Sequence, residues 1–245
     1  LKKIILFIFL FHGIVHGQNN SLKSLDELVN KEEPGWDLVK EWIAEATNPI
    51  EILEKDTLRA KNSLIQTQVT TRSPMGAIIY ETGGIFVDNG WLRILGSGNP
   101  KLNRSLPDWN KGKTFENFGD QPMIYLIADD IVGGFFGING GVLGEDVGKI
   151  YYFAPDTLKW EPMNMGYSEF IWWTFVGNLS DFYSNVRWKG WENDIKSLDG
   201  NKGISFFPYL WTKHDDVNQL SRKAIPIEEM WQLNQNFVKQ LNNNN

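Results

Sequence analysis

Apolar positions along the chain recur with two different periods, and the change of period divides the sequence into three stretches. From Ser21 to about Ala60 the spacing is helical. Ser24-Leu25-Asp26-Glu27 fits a capping box, in which a hydroxyl and a carboxylate satisfy free amides at a helix start. A second helix is predicted from Pro34, with Trp36, Val39, Ile43 and Ala46 on one face and Asn48-Pro49 as its end. A third, short helix is predicted over Pro49–Arg59, turning Ile50, Leu53 and Leu58 inward.

From Leu64 to Pro155 short apolar or β-branched runs predict strands: Leu64–Val69, Ala77–Tyr80, Ile85–Val87, Trp91–Leu95, Met123–Ala128, Phe135–Ile138 and Ile150–Phe153. Gly83-Gly84 reads as a turn or bulge, and Asp88-Asn89-Gly90 as a hairpin turn. Gly96–Gly119 is rich in Gly, Pro, Asn and Lys and reads as a long polar loop, which in a compact domain goes with function or mobility. Helix returns at Ser168 with Phe170, Ile171, Trp173 and Phe175, continues over Asn178–Tyr183, and recurs over Trp188–Leu198. Pro208–Trp211 is a short extended piece. A last helix from Pro226 carries Ile227, Met230, Trp231, Phe237 and Leu241 along one face. Helices, then strands, then helices predict an α+β fold, with an antiparallel or mixed central sheet of about five to six strands flanked by helices from both ends.

The first 17 residues stand apart from this pattern. Lys2 and Lys3 form a positive start, Ile4–Val15 is a nearly unbroken apolar run, and Val15-His16-Gly17 offers small residues at the positions a signal peptidase reads. The run is shorter than the roughly 20 residues a spanning helix needs. It predicts a cleaved signal peptide over 1–17, a secreted or periplasmic protein and no stable membrane insertion after cleavage. Residues 18–60 are then a helical segment packed on an α+β domain over 61–245.

The net charge of −6, without a basic stripe, argues against nucleic acid and anionic lipid surfaces as partners. With 0 Cys the chain has no disulfide, thiol nucleophile or thiolate metal site, so stability must come from packing, to which 11 Trp and 15 Phe contribute.

His214 is the only histidine beyond the signal segment, and it lies in the polar stretch Trp211-Thr212-Lys213-His214-Asp215-Asp216 with no G-x-S-x-G elsewhere. No metal site and no cofactor are expected. Carboxylates are more plentiful: Asp129, Asp130, Glu145, Asp146, Asp156, Glu161 and Glu169 fall in or beside the strand block. Two of them across a cleft would serve a glycosidase, but Asp is also what tight turns select, because its side chain bonds its own backbone. The glycines of Gly133-Gly134-Phe135-Phe136-Gly137 lead into a strand and do not make a phosphate loop. Trp160, Trp172 and Trp173 stand in an aromatic series that suits either a core or a carbohydrate platform. Adjacent Trp172 and Trp173 cannot both face the same core, so one is expected at a surface or a seam. The candidate binding residues are therefore Trp160, Trp172, Trp173, Asp129, Asp130 and Asp156, with no catalytic residue assigned.

Four stretches carry a family resemblance: Gly133–Asn139, Tyr151–Glu161, Gly166-Tyr167-Ser168, and Arg187-Trp188-Lys189-Gly190-Trp191. With them the chain resembles the bacterial family called domain of unknown function 2625 over most of its length, from Leu25 to Gln240. No catalytic residue is assigned to that family, so none carries over. More loosely, an acidic turn, a Gly-rich strand, an aromatic strand and a helix resemble the layout of the SUKH superfamily, whose members are α+β binding modules, several of them immunity proteins against secreted toxins. A signal peptide is not part of that pattern, so the likeness implies a binding module rather than immunity. The expected function is a non-catalytic module for a protein, small-molecule or glycan partner. The rival is a carboxylate-dependent hydrolase of a glycan or related polymer.

Overall fold

A computed structural model describes residues 22–243. The segment 1–17 predicted as a signal peptide lies outside the described residues. Helix α1 (Leu25–Leu28) opens on the expected capping box, the Glu27 carboxylate accepting from the Ser24 amide at 2.8 Å. Helix α2 (Gly35–Ala44) follows as predicted.

Three expected elements change type. The helix expected over Pro49–Arg59 is strand β1 (Ile50–Leu53) followed by the start of α3 (Thr57–Thr67), which runs through the strand expected at Leu64–Val69. Asp56 starts α3, its carboxylate accepting from the Arg59 amide at 2.8 Å. The strand expected at Ala77–Tyr80 is helix α4 (Pro74–Glu81), started by the Ser73 hydroxyl on the Gly76 amide and by Pro74 in the first turn. Met75, Ala77, Ile78 and Ile79 are all buried, and a helix apolar all round shows no periodicity to tell it from a strand.

Strands β2 (Gly84–Val87), β3 (Leu92–Leu95), β4 (Ile124–Asp130), β5 (Phe135–Asn139), β6 (Ile150–Ala154) and β7 (Lys159–Pro162) join β1 in one antiparallel sheet whose spatial order is the chain order. The fold is α+β, as expected, but the sheet has seven strands rather than five to six. Asp88, Asn89 and Gly90 all take positive φ, the left-handed conformation that a tight hairpin requires.

Residues directly opposed across the strands share a face. One row runs Phe86, Arg93, Asp129, Phe135, Phe153 and Trp160. It is covered by Trp109 of α5 (Leu106–Asn110) and Trp231 of the last helix, α9 (Ile227–Asn243), at 6.3 and 4.9 Å from the Phe135 ring. The other row, through Ile94, Ala128, Phe136 and Tyr152, meets α6 (Tyr167–Val176), where Phe170 lies 4.9 Å from Phe136. Burying both faces explains why the central strands read as continuous apolar runs rather than alternating ones.

The expected polar loop Gly96–Gly119 is largely buried as far as Asn110 and lies at the surface beyond it. Leu102, Leu106 and Trp109 are buried, and the loop crosses the sheet carrying Arg104. Its Asn110 replaces a strand residue: β3 is too short to cover all of β4, and the Asn110 side-chain amide donates to the Leu126 carbonyl at 2.7 Å and accepts from the Leu126 amide at 2.8 Å. Beyond α7 (Leu179–Phe182) and α8 (Trp191–Ile195), strands β8 (Lys202–Phe207) and β9 (Ser221–Pro226) form a separate hairpin tied to the main sheet by the Ile204 amide on the Ile131 carbonyl. Among the described residues no helix is long and apolar enough to cross a membrane.

Candidate functional site

Asp129 and Asp130 are consecutive on β4 and so point to opposite faces of the sheet. Both are fully buried; Asp129 lies within the strand, and Asp130 is its last residue, at the start of the turn to β5. Asp129 faces Arg93 at 2.6 Å and Arg104 at 2.5 Å. The two guanidiniums also donate to the Gly200 carbonyl, each at 3.1 Å, and Arg93 reaches the Lys202 carbonyl. Arg104 lies over the Trp109 ring at 4.9 Å, and burial pulls its guanidinium below the usual range against the pull of Asp129. This cluster clamps the entry to β8 onto the sheet.

On the opposite face the Asp130 carboxylate accepts from the Val132 and Gly134 amides at 3.0 and 2.8 Å and from the Tyr152 hydroxyl at 2.7 Å. The two amide contacts are the turn bonding expected of Asp; the tyrosine contact is tertiary. Burial pushes Asp130 up to about 6, partly offset by these hydrogen bonds and by Arg93. A Cβ at Gly134 would collide with the Asp130 and Tyr152 oxygens, so this Gly is set by close approach.

The three tryptophans go to different places. Trp160 stacks edge-on against Phe153 at 5.5 Å. Trp172 meets Trp42 of α2 at 6.4 Å, in the seam between two helices. Trp173 packs against Phe170 and Phe182 at 6.0 and 5.0 Å. The six candidate binding residues are thus not brought together. Asp156 alone among them lines an open cleft.

That cleft, of about 280 Å³, lies between the β6–β7 turn, the Asn185-Val186 link and the Leu210–His214 loop. The turn is held by the Leu158 amide on the Ala154 carbonyl at 2.8 Å, with Leu158 at φ 55°, and it presents Asp156 half-exposed. The facing loop is a second turn, its Thr212 amide and hydroxyl both donating to the Tyr209 carbonyl at 2.9 and 2.7 Å. Tyr209 and Trp211 brace it from behind, against Phe237 at 4.7 and 5.3 Å. His214 Nδ1 lies 2.8 Å from the Thr212 carbonyl, which can only accept, so Nδ1 carries the proton and Nε2 of the neutral ring is free to accept. Among the described residues neither Asp156 nor Lys213 has a hydrogen-bond or ion-pair partner, although both line this cleft.

The lining holds one carboxylate, so the two-carboxylate geometry of a glycosidase is not assembled here. Its one hydroxyl, on Thr212, is engaged with a carbonyl rather than with the imidazole. No group of three or more metal-ligating side chains occurs among the described residues. What the cleft offers is hydrogen bonding and charge of both signs. A second cavity, about 30 Å³ between β8–β9 and α9, has room for about one water.

Arg187-Trp188-Lys189-Gly190-Trp191, one of the family-like stretches, closes over Trp91: rings at 5.8 Å for Trp188 and 4.9 Å for Trp191, with the Arg187 guanidinium 4.6 Å above Trp91 and paired with Asp88. Gly133–Asn139 holds the Asp130 contact just described. The sequence model of the family described as "Protein of unknown function DUF2625" matches residues 25–230. The chain belongs to the DUF2625 family. Two relatives place it further. Uncharacterized protein YbfG of Escherichia coli K12 is 43% identical over 212 residues, covering 86% of this chain and 95% of that protein. An uncharacterized protein of Haemophilus influenzae is 42% identical over 214 residues, covering 87% and 94%. No solved structure matches, and these comparisons lend no support to the looser likeness to the SUKH superfamily. For this DUF2625 member the family-like spelling falls largely on packing: the Trp91 closure and the Gly134 approach are fold-defining contacts.

Two kinds of residue escaped the sequence reading. Arg93 and Arg104 were not singled out, although a charge inside Trp91-Leu92-Arg93-Ile94-Leu95 is a signal, since a buried strand keeps an Arg only when it is paired. Lys213 and Asn185 carried no signal of their own; only the fold places them opposite Asp156.

Proposed function

We infer that this protein is an exported, non-catalytic binding module whose ligand site is the cleft between the β6–β7 turn and the Leu210–His214 loop. The observation that carries the reading is the unpaired state of Asp156 and Lys213 on the walls of one cleft. Charged groups that serve the fold here are paired, as at Asp129, whereas these keep their bonding capacity for something outside the chain. The carboxylate-hydrolase alternative lacks a second acid in the cleft.

The test is thermal melting of the full chain against a panel of small amines, carboxylates, dipolar molecules and neutral sugars. A rise in Tm that His214→Ala removes supports the reading, by the linkage between binding and stability. Hydrolysis of cell-wall glycan that Asp156→Asn abolishes would replace it with the hydrolase. Export is tested separately by intact mass: the exported species is expected to begin at Gln18, and one that retains Lys2 would refute cleavage.

A further inference from the structure

We propose that the cleft selects a dipolar ligand carrying both an ammonium and a carboxylate, of the size of an amino acid or dipeptide, with Asp156 taking the ammonium and Lys213 the carboxylate. This rests on the cleft being the binding site argued above, and it adds the class of ligand.

The argument is one of matching charge. Asp156 and Lys213 line the same space but are not joined to each other or to any other described side chain. A simple anion such as phosphate would be drawn to Lys213 and repelled by Asp156, and a simple cation would meet the reverse. A neutral sugar would displace water from both charges without replacing their interactions, which is costly. Only a molecule with opposite charges at its two ends satisfies both walls at once. The remaining lining fits the same class. Asn185 can hydrogen-bond either end, His214 Nε2 can accept from an ammonium, and Trp211, Leu210 and Val186 give an apolar patch for a side chain. A cleft of about 280 Å³ stands at the small end of ligand sites, which run to roughly 300–1,000 Å³.

The experiment is NMR titration of the full chain, reading the imidazole signals of His214, identified by their loss in His214→Gln. The probes are L-phenylalanine, glycyl-L-phenylalanine, phenethylamine (no carboxylate), 3-phenylpropanoate (no ammonium) and N-acetylglucosamine. At least one of the two dipolar probes is expected to shift the His214 signals saturably, with each single-charge analogue about two- to fivefold weaker, the scale of one partly exposed ion pair. Asp156→Asn should erase the preference over 3-phenylpropanoate while leaving that over phenethylamine, and Lys213→Met should do the converse. Both side chains sit on exposed turns, so both variants should keep the wild-type melting curve.

Equal binding of a dipolar probe and its single-charge analogues overturns the proposal. Binding of the sugar or of one single-charge probe, with neither dipolar probe binding, also overturns it but leaves the cleft as a binding site. If no probe moves His214, both the ligand class and the site fall.

Discussion

The acids of β4 and the acid of the β6–β7 turn are the same residue type in opposite circumstances. Asp129 is sealed between two guanidiniums, and Asp130 receives two amides and a tyrosine hydroxyl. Asp156, one hairpin further on, faces solvent in a cleft with no partner among the described residues. The difference separates charge that holds the chain together from charge left facing solvent, and the proposed site rests on the second kind. It also explains why a census of carboxylates in this block points to catalysis while the folded arrangement does not: the two adjacent acids are divided by the plane of the sheet.

The sharpest way to break this comparison is to remove the clamp. Asp129→Ala leaves Arg93 and Arg104 buried without their counter-charge and is expected to cost about 3–5 kcal/mol in urea unfolding. A loss below about 1 kcal/mol would show that water reaches the pair and that the core acid is no different from the surface one.

Asp130 gives a smaller effect with a distinctive dependence on pH. Because burial raises it to about 6 in the folded protein, the folded chain keeps a proton between about pH 4 and 6 that the unfolded chain has released. Stability from this group is therefore full below about pH 4 and falls as pH rises to about 6, by on the order of 3 kcal/mol. Asp130→Asn, which resembles the protonated acid, should lack that component. Denaturant midpoints of the two proteins should thus converge towards pH 4 and separate towards pH 7, the variant being the more stable. A constant difference across that range would place the carboxylate in ordinary contact with water.

The smallest change is expected at Asp156→Asn, within about 0.5 kcal/mol of wild type, as for surface positions without structural partners. A loss of more than about 1 kcal/mol would mean that Asp156 belongs to the framework, and the comparison would collapse.

Much of the framework was legible because local chemistry and pattern agree there. The Ser24 capping box, the Asp88-Asn89-Gly90 turn, strands β4 to β6 and helix α6 lie where their residues predict. Expectation and structure part where apolar pattern and cap chemistry disagree. Ala77–Tyr80 has the β-branched look of a strand, yet Ser73-Pro74 before it is a helix start. Strands β7 and β9 went unseen because they are mostly exposed, and Lys159-Trp160-Glu161 and Ser221-Arg222-Lys223-Ala224 offer no apolar alternation. Of the cleft, Asp156 and His214 could be picked out singly by residue type. Their meeting could not, since it depends on where the β8–β9 region returns to the sheet, and that is fixed by Arg93 and Arg104 on the carbonyls near Gly200.

The Asn110 side chain has a consequence for how the protein behaves in a crowded solution. A sheet strand with unanswered amide and carbonyl groups is a template on which another chain can add itself, the first step of edge-to-edge aggregation. Where β3 stops short, one carboxamide supplies both the donor and the acceptor that a neighbouring strand would bring. Where β4 runs on past β3, the Leu126 amide and carbonyl are thereby answered by a single side chain and are closed to an incoming strand from within.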